Sequence, residues 1–225
     1  MEHSKVQSAS EEDRLQSERN RRTMVDRQIR TFDVTDRRLL ERMLEVPREA
    51  FLPSNLAAFA YSDIALQADS GGGTRMLLPP LVLARLLQAA EIKPTDVVLD
   101  VGGAFGYSPA LLGGLARRVV AVESAISFYG QMRFNLDAFG LSNVRAVLGP
   151  LPEGAPADAP FDVIIVEGAV QSNLDTLFGQ LRHGGRLLAF SPMAGEAMGG
   201  PSMGGPSKAA RYEKVEGRMG YRVLF

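Results

Sequence analysis

Four short apolar runs stand out along the second half of the chain, separated by glycine turns and by segments with helical spacing. Nearly continuous apolar runs that are rich in β-branched residues are typical of parallel strands buried on both faces. A fifth run precedes the glycine-rich end of the chain. The alternation of strands and helices predicts an α/β protein with a doubly wound, mostly parallel sheet. The runs are residues 97–101, 119–122, 144–148, 161–166 and 186–190.

The two ends of the chain predict additions to this sheet. At the C-terminal end, alternation from Ala210 to Lys214 and the run 221–225 predict a closing antiparallel hairpin. At the N-terminal end, the spacing of apolar residues predicts several helices. Their predicted positions are 11–29, from an N-cap at Thr35 to just before Pro47, 56–60 and 79–90.

Between these helices and the sheet, residues 61–66 are predicted to be extended, and the glycine-rich residues 70–75 are predicted to form a mobile loop. We expect three regions along the chain. These are a disordered N-terminus at 1–10, an N-terminal helical region with a substrate-side loop at 11–92, and a cofactor-binding α/β core at 93–225. Within the core, a Gly/Met-rich stretch at 194–206 predicts a flexible loop, and a turn is predicted at His183-Gly184-Gly185.

The amino-acid composition limits the kinds of partner and of catalysis that can be expected. The 225 residues are 45% hydrophobic and 23% charged, which is typical of a soluble globular protein. The net charge of −1 gives no overall field for nucleic acid or an anionic membrane, so neither partner is expected. The absence of cysteine removes disulfides, thiolate catalysis and cysteine metal sites, and it fits a cytoplasmic location. With only His3 and His183, neither a metal site nor a general-base histidine is favoured, and neither a signal peptide nor a membrane span is expected.

The turn after the first strand predicts a nucleotide site. Gly102, Gly103 and Gly106 follow that strand directly, and glycine lets a backbone turn sharply and approach a ligand. Glu123 follows Gly102 by 21 positions, at the end of the second strand. An acid about 20 residues after the first glycine accepts hydrogen bonds from a ribose in such sheets. We therefore expect Glu123 to hold a ribose diol.

The spacing of the glycines distinguishes between cofactors. The dinucleotide pattern G-x-G-x-x-G requires glycine at positions 104 and 107, where this chain has Ala104 and Tyr107. The methyltransferase pattern acid-x-G-x-G-x-G is met by Asp100, Gly102 and Gly106, with only Ala104 departing from it. The pattern favours S-adenosylmethionine over a nicotinamide cofactor. A glycine-rich turn that binds no ligand is the alternative.

With these residues in view, the chain resembles the protein-L-isoaspartate O-methyltransferase family over residues 24–190. The most specific marks are VPREAFLP and the Gly-Tyr pair after the glycine turn. The motifs are MVDRQI at 24–29, VPREAFLP at 46–53, YSD at 61–63, VLDVG at 98–102, GY at 106–107, FDVIIV at 161–166 and GGRL at 184–187.

The resemblance implies a Rossmann-like methyltransferase sheet, S-adenosylmethionine as cofactor and a protein or peptide carboxylate as methyl acceptor. It places the loop at Gly149 near the adenine. Glu167 is a candidate for the methionine amine of the cofactor. The full set of expected cofactor residues is Leu78, Asp100, Gly102, Gly103, Ala104, Gly106, Tyr107, Glu123, Ser124, Gly149, Pro150 and Glu167.

Two positions depart from the family pattern. Leu77 replaces a residue whose hydroxyl lines the acceptor site, and Pro150 replaces an Asp that binds the adenine amino group. On the acceptor side, Thr74 and Arg75 are the candidate residues, with the Arg75 guanidinium expected to orient a carboxylate. Three functions remain open: an isoaspartyl-type methyltransferase, a member of the family that binds the cofactor but has lost that activity or uses another acceptor, and a nicotinamide-dependent oxidoreductase.

Overall fold

The structure is a computed structural model, and it describes residues 11–71, 73–169, 174–191, 208–215 and 218–225. The N-terminus at 1–10 and the Gly/Met-rich loop at 194–206, for which disorder and flexibility were predicted, lie outside the described residues. Among the helices that are described, none is both long and apolar enough to cross a membrane.

The first half of the chain forms helices that pack on the body of the protein, as the sequence predicts. The predicted 11–29 helix is an α-helix continued by a π-helical turn at Val25–Ile29. Met24, Val25 and Ile29 are buried, so the C-terminal part of this segment attaches it to the core. The helices are α1 Glu11–Met24, α2 Arg37–Glu45, α3 Ser54–Ala57 and α4 Pro80–Ala89.

The predicted N-cap of α2 is wrong by one residue. Asp36 caps the helix, because its Oδ1 accepts hydrogen bonds from the backbone N–H groups of Arg38 at 2.9 Å and Leu39 at 3.2 Å. Thr35 instead donates its backbone N–H to the side-chain oxygen of Gln88, on α4, at 2.6 Å. This contact with α4 holds the backbone that leads into α2, and Asp36, the next residue, is therefore the one that caps the helix.

A two-stranded antiparallel hairpin replaces the predicted extended segment and mobile loop. Strand β1 is Leu66–Ser70 and strand β2 is Gly73–Leu77. Residues 61–64 form turns and bends, so the prediction of an extended segment there is wrong. The loop prediction fails because Leu66 and Ala68 are buried and anchor an ordered strand.

Within the described residues the central sheet has seven strands, and its first five are parallel, as predicted. The C-terminal pair is antiparallel, which confirms the predicted closing hairpin. The sheet order is β5-β4-β3-β6-β7-β8-β9. The strands are β3 Val97–Val101, β4 Arg118–Glu123, β5 Val144–Leu148, β6 Phe161–Ala169, β7 Leu181–Ser191, β8 Lys208–Val215 and β9 Arg218–Val223.

Strand β7 begins earlier than predicted. The expected turn at His183-Gly184-Gly185 lies inside it, within an irregularity of the β6–β7 pairing where register passes from Leu181 to Arg186. The two glycines therefore lie in a bulge within strand β7. The prediction of a turn between a helix and a strand at this position is wrong. The helices that connect the sheet are α5 Tyr107–Gly113, α6 Ile126–Ala138 and α7 Asp175–Gly179.

Apolar side chains cover both faces of the sheet in two clusters, because successive residues of a strand point to opposite faces. Val98 belongs to one cluster together with Leu39 and Leu86 of the N-terminal helices, and Leu99 belongs to the other. The N-terminal helices thus share a core with one sheet face. The boundary between residues 92 and 93 stays a prediction.

Candidate functional site

Strand register brings three predicted site residues to one point. Val101 is aligned with Val122 on one side and with Val166 on the other. The next residue of each strand is therefore Gly102, Glu123 or Glu167, and these meet at the carboxyl edge of the sheet. Strand β4, which follows β3 in the chain, lies on one side of β3, and β6, which follows β5, lies on the other. This edge is therefore a topological switch point, where open α/β sheets bind ligands.

The glycine turn has the backbone geometry that its sequence predicts. Gly102 and Gly106 have φ angles of 85° and 96°, a region that side chains disfavour. Ala104 also has a positive φ, 48°, so the residue that departs from the methyltransferase pattern stands at a position that suits glycine. Gly103 has no room for a side chain, because an added Cβ would overlap Asp100 Oδ1 and would lie 3.0 Å from the Cγ and Cδ atoms of Pro109.

Glu123 lies at the end of β4 with its side chain fully buried. Its Oε2 accepts a hydrogen bond from the backbone N–H of Ser124 at 2.9 Å, which fixes the carboxylate. Both oxygens also accept from Arg75 of the hairpin, through Nε to Oε1 at 2.9 Å and Nη2 to Oε2 at 2.8 Å. The spacing argument identified the acid, but it gave no indication of this partner.

The hairpin presents Arg75 to the site and turns Thr74 away from it. Arg75 Nη2 also donates to the Ser124 hydroxyl at 2.9 Å, and its guanidinium lies 5.4 Å from the centre of the Phe128 ring. Thr74 is exposed, and its hydroxyl donates to Asp69 across the hairpin at 2.6 Å. An acceptor-side role for either residue stays a prediction.

A second pair of acids lies on the other side of the turn. Asp100 is buried, and the Ser108 hydroxyl donates to its Oδ2 at 2.6 Å. Burial raises the pKa of Asp100 to about 6. Burial, reinforced by the neighbouring charge of Asp100, raises the pKa of Glu167 well above its usual value. The two carboxyl groups therefore titrate as a coupled pair that holds a proton more tightly than free carboxyls do.

A cleft opens between this pair and the end of the hairpin. Leu77, at the end of the hairpin, lines this cleft together with Leu78, and so do Glu167 and Tyr107. The cleft is thus apolar at Leu77, where the family resemblance implies a residue with a hydroxyl group. The full lining is Arg48, Phe51, Leu52, Leu77, Leu78, Leu83, Gly103, Phe105, Tyr107, Ser108 and Glu167.

Sequence reasoning missed Arg48 as a site residue. Its side chain is buried, it donates from Nη2 to the carbonyl oxygen of Leu78 at 2.9 Å, and it lies 5.0 Å from the centre of the Tyr107 ring. Burial lowers the pKa of Arg48, and Tyr107 and Glu167 partly offset this effect. The available signal was a lone arginine inside the apolar segment VPREAFLP, but only the fold shows that it faces a cleft.

The predicted adenine side follows β5. Gly149 donates its backbone N–H to the carbonyl oxygen of Glu123 at 3.0 Å, which holds the loop beside the acid. Pro150 precedes a short 3-10 turn, Leu151–Glu153. Leu151 lies over the glycine turn, since a Cβ at Gly102 would be 3.6 Å from its Cδ1.

These residues suit a ligand with a ribose at one end and positive charge at the other. Within the described residues, four buried polar atoms around the cleft have no hydrogen-bond partner. Carboxylate oxygens accept from ammonium groups and attract a sulfonium charge, so the chemistry of the donor set fits S-adenosylmethionine. The four atoms are Arg48 Nε, Asp100 Oδ1, Tyr107 OH and Glu167 Oε1.

The sheet order, its closing antiparallel hairpin and the acid-flanked glycine turn define a Rossmann-like methyltransferase fold. The particular family follows from comparison with known proteins. The family model described as protein-L-isoaspartate(D-aspartate) O-methyltransferase matches residues 19–195. The chain belongs to this family, which confirms the resemblance drawn from its motifs.

Individual relatives agree with this assignment. A protein-L-isoaspartate O-methyltransferase of Koribacter versatilis is 38% identical over 169 residues, which are 75% of this chain and 75% of that relative. A solved protein-L-isoaspartate O-methyltransferase superposes with a TM-score of 0.75 at 25% identity, covering 92% of this chain and 63% of that one. A Plasmodium falciparum protein of the same description, solved with S-adenosyl-L-homocysteine, has a TM-score of 0.73 at 15% identity and shows the shared fold.

Proposed function

We propose that this protein is an S-adenosylmethionine-dependent O-methyltransferase that methylates a carboxylate of a protein or peptide, of the isoaspartyl type. The observation that carries the proposal is the convergence of Glu123 and Glu167 on the two sides of the Gly102 turn. Family membership supports the same reaction and disfavours the nicotinamide-dependent alternative.

Different residues of the site bind different parts of the cofactor. Glu123, held in place by the N–H of Ser124, serves the ribose, and the loop at Gly149 and Pro150 serves the adenine. Asp100 and Glu167 serve the positively charged methionine end. When bound, the cofactor supplies an electrophilic methyl group on a sulfonium.

The protein's contribution to transfer is positioning and exclusion of water. A carboxylate acceptor is already a nucleophile, so the chain needs no general base to activate it. Leu77 and Leu78 form an apolar wall that keeps water away from the reacting atoms. Arg48, a buried residue that lines the same cleft, supplies a fixed positive charge that attracts the acceptor carboxylate.

A second candidate function has two observations in its favour. Leu77 lines the cleft, where the family resemblance expects a hydroxyl. A leucine offers no hydrogen bond to an isoaspartyl carboxylate, so a different acceptor, or cofactor binding without isoaspartyl activity, is the alternative. The Pro150 departure on the adenine side points the same way, because proline has no side-chain acceptor for the adenine amino group.

Calorimetric titration with S-adenosylhomocysteine and a methyl-transfer assay on an isoaspartyl peptide test the proposal together. Binding and transfer support it in full. Binding without transfer to the isoaspartyl peptide, but with transfer to other carboxylate peptides, supports the alternative acceptor. Failure to bind S-adenosylhomocysteine contradicts the cofactor assignment, and NAD in a parallel titration is the control.

Other expectations from the sequence stay predictions. The cytoplasmic location rests on the cysteine-free composition, and the absence of a nucleic-acid partner rests on the net charge of −1. Neither depends on the geometry of the cleft.

A further inference from the structure

Arg75 engages both oxygens of the carboxylate that the proposed function assigns to the ribose. The contacts are Nε to Oε1 at 2.9 Å and Nη2 to Oε2 at 2.8 Å, the forked geometry of a strong ion pair. Glu123 Oε2 also accepts from the backbone N–H of Ser124 at 2.9 Å. A carboxylate has about four lone-pair sites, and these donors leave too few for both hydroxyls of a ribose.

The ion pair is part of a larger contact between the hairpin and the start of α6. The Arg75 guanidinium also reaches the Ser124 hydroxyl and lies beside the ring of Phe128. At the other end of the hairpin, the Ser127 hydroxyl donates to the carbonyl oxygen of Ser70 at 2.8 Å. The hairpin is therefore fastened over the ribose side of the cleft at two points.

We propose that Arg75 is a latch that competes with the cofactor: S-adenosylmethionine binds only when the guanidinium leaves Glu123. This inference rests on the proposed function, since it takes the ribose of that cofactor as the competing ligand. Arg75 and Leu77 lie two residues apart on β2 and so point to the same face, and Leu77 lines the acceptor cleft. A released Arg75 thus becomes available to the acceptor carboxylate, and the cofactor binds before the acceptor.

The latch lowers the apparent affinity for the cofactor in proportion to the fraction of molecules in which it is open. Removing Arg75 deprives the buried Glu123 of its ion-pair partner, so the ligand-free protein becomes less stable. The same change frees the carboxylate for ribose hydroxyls. Arg75→Ala is therefore expected to lower the melting temperature of the free protein while it raises affinity for S-adenosylhomocysteine at least fivefold.

Opposite changes in stability and affinity distinguish a latch from a structural arginine, whose loss would lower both. The experiment titrates S-adenosylhomocysteine by calorimetry into the wild-type protein, Arg75→Ala and Arg75→Lys, and records thermal unfolding of each without ligand. Lysine keeps the charge but loses the fork, so Arg75→Lys is expected to fall between the other two. Arg145→Ala is the control, because it breaks an ion pair with Asp158 near the amino end of β5, away from the cleft.

Unchanged or weaker binding by Arg75→Ala, beside wild-type binding, overturns the latch and leaves the proposed function standing. Binding by Arg75→Ala that the wild-type protein lacks supports the latch strongly. Failure of every variant to bind S-adenosylhomocysteine overturns both. A crystal structure of the complex gives a direct check, since Arg75 Nε and Nη2 are expected to have left both oxygens of Glu123.

Discussion

The carboxyl groups of Asp100 and Glu167 interact directly at the ends of two neighbouring parallel strands. Two acids so placed suit the positively charged end of the cofactor, but in the free protein the charge of Asp100 makes ionisation of Glu167 less favourable. Burying these two acids lowers the stability of the free protein, but it places negative charge where the ligand binds. Its consequences are measurable without any assay of activity.

Replacing Glu167 by Gln is expected to stabilise the free protein at alkaline pH. An acid whose pKa is raised by folding binds its proton more tightly in the folded state, so stability is lost as pH rises from the unfolded pKa through the folded one. Glutamine cannot ionise and escapes this loss. Denaturant unfolding at pH 8 should show a gain of roughly 1 to 3 kcal/mol for Glu167→Gln.

The pH dependence provides the internal control for this variant. Near pH 4 the wild-type pair holds its protons, and the difference between the two proteins should disappear. The exposed Glu153 is the matched position, and Glu153→Gln should leave stability unchanged at both pH values. An equal gain at pH 4 and pH 8 would contradict the titration argument.

Glu123→Ala is expected to weaken S-adenosylhomocysteine binding by at least tenfold. Hydrogen bonds to a charged acceptor contribute about 1.5 to 3 kcal/mol each, and the variant removes those of the ribose. Isothermal titration measures the effect. Glu45→Ala is the control, since Glu45 is an exposed residue of α2 that forms an ion pair with Arg42. Wild-type affinity in Glu123→Ala would refute the role assigned to this acid.

Ala104→Gly is expected to destabilise the protein by roughly 1 kcal/mol less than Ala110→Gly does. Both changes remove a buried methyl group and add chain entropy to the unfolded state, but only Ala104→Gly relieves left-handed backbone strain, about 1 to 2 kcal/mol. Urea unfolding of Ala110→Gly supplies the comparison, because Ala110 lies in α5 and the same change there should destabilise. Similar losses in both variants would mean that Ala104 is not strained.

Leu77→Ser is expected to raise kcat/KM for an isoaspartyl peptide by roughly tenfold or more. The serine hydroxyl would offer the acceptor carboxylate a hydrogen bond that leucine lacks, and a bond to a charged group contributes about 1.5 to 3 kcal/mol. Met76→Ser is the control, because Met76 is exposed on the opposite face of β2. No gain in Leu77→Ser would favour an acceptor other than an isoaspartyl residue.

The sequence predicted the parts of the fold that local pattern controls. Strand β3 runs over the predicted residues, because a buried strand is recognisable from its own apolar side chains. The spacing from Gly102 to Glu123 likewise depends on one strand–turn–helix–strand unit, so the position of the acid could be predicted. The family motifs added the cofactor and the reaction class, which the family model confirms.

The hairpin and its arginine could not be predicted in the same way. A glycine-rich segment at 70–75 carries local signals for a loop, and only packing of Leu66 and Ala68 against the core orders it as strands. The burial of Arg48 depends equally on what the fold places around it.

The sequence by itself determined the strands, the glycine turn and the acid at position 123, because backbone dihedrals and side-chain periodicity act over a few neighbouring residues. Tertiary structure alone decided that Arg75 forms an ion pair with Glu123, and that Arg48 lines the same cleft as Glu167. Arg75 and Glu123 are 48 residues apart in the chain. Contacts over such distances depend on how the hairpin packs against α6, and no short-range pattern encodes that packing.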